Sequence, residues 1–79
     1  MHDKLSLEER IGKKIRSMRK ESKMTQPQLA KKSGVSVTWI SACETGRKFP
    51  SFKTVVLLLE AMGYEMIFEK KTTTRTLLP

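Results

Sequence analysis

The stretch Thr25-Gln-Pro-Gln-Leu-Ala-Lys-Lys-Ser-Gly34-Val-Ser-Val-Thr-Trp-Ile-Ser-Ala-Cys-Glu-Thr45 decides the fold. Thr25 and Gln28 have the spacing of a capping box, in which the hydroxyl accepts from the Gln28 backbone and the glutamine side chain reaches back. A helix therefore starts at this point, and Pro27 falls in its first turn, where a missing N–H costs nothing. Leu29 and Ala30 point inward, and Gly34 stands where the helix must stop with a positive φ angle. Ser36 caps a second helix from Val37 to about Glu44, with Ile40 and Cys43 on its inner side. Gly46 ends it.

This helix-glycine-helix unit resembles the helix-turn-helix of Cro-like or XRE-like bacterial and phage regulators. Thr25-Gln26, Leu29-Ala30, Gly34-Val35-Ser36, Ile40-Ser41, Glu44-x-Gly46 and Pro50-Ser51 carry the resemblance, which extends from about Ile11 to Gly63. Physically, a small Ala30 lets the two helices approach, Gly34 makes the turn and Val35 plugs the gap between them. The fold implied is mostly α, a compact four-helix lambda-repressor-like DNA-binding domain.

Composition agrees with a polyanion partner. The chain has 79 residues, with 16 Lys and Arg against 8 acids and a formal charge of +8. The basic residues crowd between Arg10 and Lys32, where Glu21 is the sole acid. A domain this small buries a modest share of its apolar surface, so a partner subunit is expected to contribute. The single cysteine, Cys43, excludes an intrachain disulfide and reads as a packed apolar residue rather than a reactive thiol. His2 is the one histidine, and neither a phosphate loop nor a paired-acid motif is present, so no enzyme, metal or cofactor is expected. No secretion signal or membrane span is visible, and a cytoplasmic protein is expected.

Upstream, Ser6 and Glu9 form a second capping box, starting a helix that runs to about Lys23. Leu7, Ile11, Ile15 and Met18 make an apolar stripe along it. The remainder, Arg10, Lys13, Lys14, Arg16, Lys20 and Lys23, reads chiefly as a solvated face with one or two members in reach of phosphates. Arg19 follows the stripe, at the position that in the resembling family pairs with the glutamate near the end of the recognition helix. The resemblance thus implies an Arg19–Glu44 ion pair that clamps the first helix to the third.

Downstream, Arg47-Lys48-Phe49-Pro50 is a loop, and Ser51 caps a fourth helix from Phe52 to Met62. Phe52, Val55, Leu59 and Met62 form one inward stripe, while Val56, Leu57 and Leu58 carry the apolar surface round the helix. A second subunit is expected to cover that second face. After Gly63, the segment Tyr64 to Lys70 alternates, with Tyr64, Met66 and Phe68 on one side and Ile67 on the other. A lone strand leaves its backbone unpaired, so the expectation is a C-terminal β-strand pairing across a two-fold homodimer. A strand after such a Gly-Tyr-Glu junction resembles the HipB-like antitoxin subset, whose members repress their own operon and bind a HipA-like toxin kinase. Residues 1–71 are read as the DNA-binding and dimerisation domain and 72–79 as a flexible tail, whose Leu77 and Leu78 could anchor on a toxin.

In helix-turn-helix geometry the second motif helix enters the major groove while the first meets the backbone with its N-terminus. Val37, Thr38, Ser41 and Ala42 are then the base-reading candidates, through hydroxyls and thymine-methyl contacts. The two-pronged glutamine, arginine or asparagine readers of many relatives are absent, which leaves a share of specificity to DNA shape. Gln26, Ser36, Thr45, Arg47 and Lys48 are the phosphate candidates. Trp39 either stacks on the sugar-phosphate edge or packs on the loop containing Phe49, and packing is favoured.

The leading expectation is a repressor of inverted-repeat operators that doubles as an antitoxin. The alternatives are a stand-alone phage-type or restriction-controller regulator, and a protein-interaction module whose basic first helix binds an acidic partner.

Overall fold

A computed structural model describes residues 4–71 of the chain. Four helices follow one another: α1 (Leu7–Glu21), α2 (Gln26–Ser33), α3 (Val37–Glu44) and α4 (Phe52–Ala61). Each is opened by a hydroxyl residue accepting from the backbone three residues on: Ser6 from Glu9, Thr25 from Gln28, Ser36 from Trp39 and Ser51 from Thr54. Both expected capping boxes close reciprocally, with Glu9 Oε1 accepting from Ser6 N at 2.9 Å and Gln28 Oε1 from Thr25 N at 2.8 Å.

The helix ends are equally explicit. Gly34 takes φ +82° in open space, so its backbone conformation and not crowding requires glycine. After α3 the Gly46 N–H donates to the Cys43 carbonyl and the Arg47 N–H to that of Ala42. After α4 the Gly63 N–H donates to Glu60 and the Tyr64 N–H to Leu59. Both are Schellman closures. Following α1, the left-handed position falls to Lys23 at φ 58°, a strained choice for a residue with a Cβ.

Ile15, Leu29, Val35, Ile40, Cys43, Leu58, Ala61 and Met62 form the core, joining all four helices and the turn. α1 lies against α3, and α2 packs on both α3 and α4. The α1–α3 crossing is close enough to require glycine. A Cβ on Gly12 would overlap the Cys43 carbonyl oxygen and come within 2.9 Å of that of Glu44. Of the expected α1 stripe, Ile15 is buried and Ile11 and Met18 pack partly on the core, but Leu7 is exposed.

In the C-terminal half the single chain departs from expectation at Phe52, at Leu58 and along 64–70. Of the expected α4 stripe, Met62 is buried and Leu59 packs partly on the core, but Phe52 is 65% exposed, and Leu58 and Ala61 complete the buried side. Leu58, expected at a dimer contact, is 1% exposed and belongs to the core of the single chain. Val56 and Leu57 remain half-buried, with Leu57 packed against the core. Among the described residues none is in a strand, including 64–70. The reason is physical: the Schellman closure sends the chain back beside α4, where no neighbouring strand offers a ladder. Phe68 stacks on Phe52 instead, ring centroids 6.5 Å apart. The proposed tail, 72–79, lies outside the described residues.

Candidate nucleic-acid interface

The two motif helices are locked together by a polar cluster beneath them. Arg19 on α1 makes a two-pronged contact with Glu44 on α3, Nε to Oε2 at 2.6 Å and a terminal nitrogen to Oε1 at 3.0 Å. Its other terminal nitrogen donates to the Met24 carbonyl at 2.8 Å. Both residues are buried, with 8% and 7% of their surfaces exposed. Burial pushes the Glu44 carboxyl up, but hydrogen bonds from Arg19 and Gln26 and the nearby guanidinium outweigh it and hold it below the usual carboxylate range. The bond to Glu44 in turn raises the Arg19 guanidinium further.

Gln26 completes this cluster, and its expected role changes accordingly. Its side-chain amide donates to Glu44 Oε1 at 3.0 Å, so the side chain is bound to the interior rather than held out as a free phosphate donor. Its backbone N–H, at the first helical position, has no carbonyl to meet within the helix and keeps the capacity to bind an anion.

The outer surface of α3 presents Val37 and Thr38, both exposed, with Ser41 half-buried one turn on. Ala42 does not belong with them. It is 8% exposed, and its carbonyl accepts the backbone N–H groups of Arg47 and Lys48, so it supports the following loop instead of facing a base. Ser36 accepts from the Trp39 N–H, which leaves its hydroxyl proton able to reach a phosphate oxygen.

Beyond α3, Thr45 is exposed, yet its hydroxyl proton is directed at the Ser41 and Ala42 carbonyls, at 3.0 and 3.1 Å. It has no second proton for a phosphate. Its oxygen accepts from Arg47 Nε at 3.0 Å. Lys48 places its ammonium 6.0 Å from the centroid of the Trp39 ring, and Trp39 itself packs partly on the core. Both loop cations are exposed. Cys43 is 1% exposed, and burial pushes its thiol up, as befits an unreactive packed residue.

Sequence reasoning missed Gly12, the Thr45–Arg47 contact and the Gln26 link to Glu44. Only Gly12 left a signal, a glycine inside a helix next to the stripe residue Ile11. No helix among the described residues is long and apolar enough to cross a membrane.

The chain is similar to two proteins of Bacillus phage phi105. It is 36% identical over 56 residues to the immunity repressor protein, covering 71% of this chain and 39% of that protein. It is 41% identical over 46 residues to the ImmF control region 10 kDa protein, covering 58% and 51% respectively. The chain thus spans about half or less of the length of these curated relatives. No solved structure matches it. A family profile described as a helix-turn-helix domain covers residues 10–65, from the first turn of α1 past the end of α4, and the chain belongs to that family.

Proposed function

We propose that this chain is a DNA-binding transcriptional repressor of the stand-alone phage type, which inserts the N-terminal half of α3 into the major groove. The observation that carries this reading is the α2–Gly34–α3 unit, whose outer face leaves Val37, Thr38 and Ser41 accessible beside the cations Arg47 and Lys48. Similarity to a phage protein named an immunity repressor supports the regulatory role. Base contacts come from Thr38 and Ser41 hydroxyls and the Val37 methyls, and phosphate contacts from Ser36, Arg47, Lys48 and the N-terminus of α2.

A homodimer on an inverted repeat accompanies this reading, with Tyr64, Met66, Ile67 and Phe68 joined by Val56 and Leu57 at the contact. Its support is the apolar surface that the single chain leaves open: Ile67 is 68% and Phe68 79% exposed. An antitoxin role with a HipA-like kinase partner is the weaker reading, because it leaned on one short segment after Gly63, whereas both similar curated proteins are phage proteins.

Footprinting of the DNA flanking the chain's own reading frame tests the proposal. Protection of an inverted repeat with half-sites about 34 Å apart is expected. Thr38→Ala is expected to relax base preference there by about 1 kcal/mol or more. Absence of any protected sequence at low salt would overturn it.

A further inference from the structure

We infer that Thr45 is a positioning residue, which holds the Arg47 guanidinium in place for a phosphate before DNA arrives. This rests on the proposed function only in taking Arg47 as a phosphate contact. The Thr45 hydroxyl carries one proton and two lone pairs, and its surroundings use them in opposite directions. The proton goes back to the Ser41 and Ala42 carbonyls at the end of α3, which orients the lone pairs outward. One of them accepts from Arg47 Nε at 3.0 Å.

The geometry is selective for that use. With Nε satisfied by Thr45, both terminal nitrogens of Arg47 remain on an exposed side chain, and a two-pronged fork is the shape that suits a phosphate. The backbone under this contact is fixed as well, since the Arg47 N–H donates to Ala42 at 2.9 Å and Gly46 has the left-handed φ of +81°. The neighbouring Lys48 is restrained in parallel by the Trp39 ring. A loop built in this way does not have to freeze a long, rotamer-rich cation when it binds, and that saving appears as affinity.

A double-mutant cycle tests the inference, read as anisotropy of a 25-base-pair duplex of arbitrary sequence, since phosphate contacts are independent of base identity. Thr45→Val removes the hydroxyl at nearly constant shape. It is expected to weaken binding about 2- to 10-fold, and Thr45→Ser to restore it. In an Arg47→Ala background, Thr45→Val is expected to have no further effect. An equal loss in both backgrounds, or no loss in either, overturns the positioning role. Arg47→Ala alone is expected to lower the salt slope, by about one for each phosphate that the arginine neutralises. If it leaves slope and affinity unchanged, the assignment of Arg47 to phosphate fails instead. Thermal midpoints within a degree or two of the parent check that Thr45→Val is folded.

Discussion

Arg19 bears more of the structure than any other charged residue. It joins α1 to α3 through Glu44, to the α1–α2 connection through the Met24 carbonyl, and to the start of α2 through the Glu44–Gln26 bond. Arg19→Ala strands a buried carboxylate and is expected to cost about 3 to 5 kcal/mol, measured by urea unfolding. The same cluster sets an acid dependence. The Glu44 carboxyl is held below its ordinary value in the folded chain, so the unfolded chain takes up a proton first as pH falls. Its stabilising contribution is complete above the unfolded value, about 4.3, and disappears as pH drops through the lower folded value. Carbon-13 titration of the Glu44 carboxyl beside unfolding midpoints checks this, and a Glu44 titration at or above the ordinary carboxylate range would contradict it. The pairing of Arg19 with Glu44 was legible because family resemblance fixes both positions. The diversion of Gln26 was not, because an amide at a helix N-terminus suits a phosphate and a buried carboxylate equally well.

Among the elements, the α1–α3 crossing is set by a residue without a side chain. Alanine within a helix normally gains about 1 kcal/mol over glycine. At Gly12 the added Cβ meets the backbone of Cys43 and Glu44, which cannot rotate aside as a side chain would. Gly12→Ala is therefore expected to destabilise by about 1 to 3 kcal/mol in denaturant titration. Ser17→Ala on the exposed side of the same helix serves as the control, expected to be neutral or slightly stabilising. The helices and their caps were readable because hydroxyl residues and glycines mark their ends at fixed offsets. The facing of α4 was readable only in part, at Leu59 and Met62. In Val55-Val-Leu-Leu-Leu59 every direction round the helix is apolar, so the run has no phase of its own. Ala61 and Met62, three and four residues beyond Leu58, select the buried side.

At the scale of the molecule, the alternation from Tyr64 to Lys70 carried an ambiguity that only tertiary context resolves. Period two describes a strand, yet a strand requires a partner, and within one chain the Tyr64 closure and the Phe52–Phe68 stack take its place. What remains is an apolar surface around Ile67 and Phe68 on a chain of charge +8. Two such chains attract through that surface and repel through their charge, so the proposed dimer and its DNA complex should respond to salt with opposite signs. Added salt screens the repulsion between subunits and favours association, while it weakens the phosphate contacts. Sedimentation equilibrium at micromolar concentration is expected to give a dimer that tightens from low to moderate salt. Ile67→Asp places a carboxylate in the contact and should shift it toward monomer. Since Ile67 lies outside the core, the thermal midpoints of parent and variant should differ only by what association contributes and converge as the parent is diluted to monomer. On DNA, Ile67→Asp should lose its advantage for two half-sites over one while retaining the binding of a single half-site. A monomeric parent chain across that salt range would remove the dimer and leave α3, with its few hydrogen-bonding side chains, to account for specificity alone.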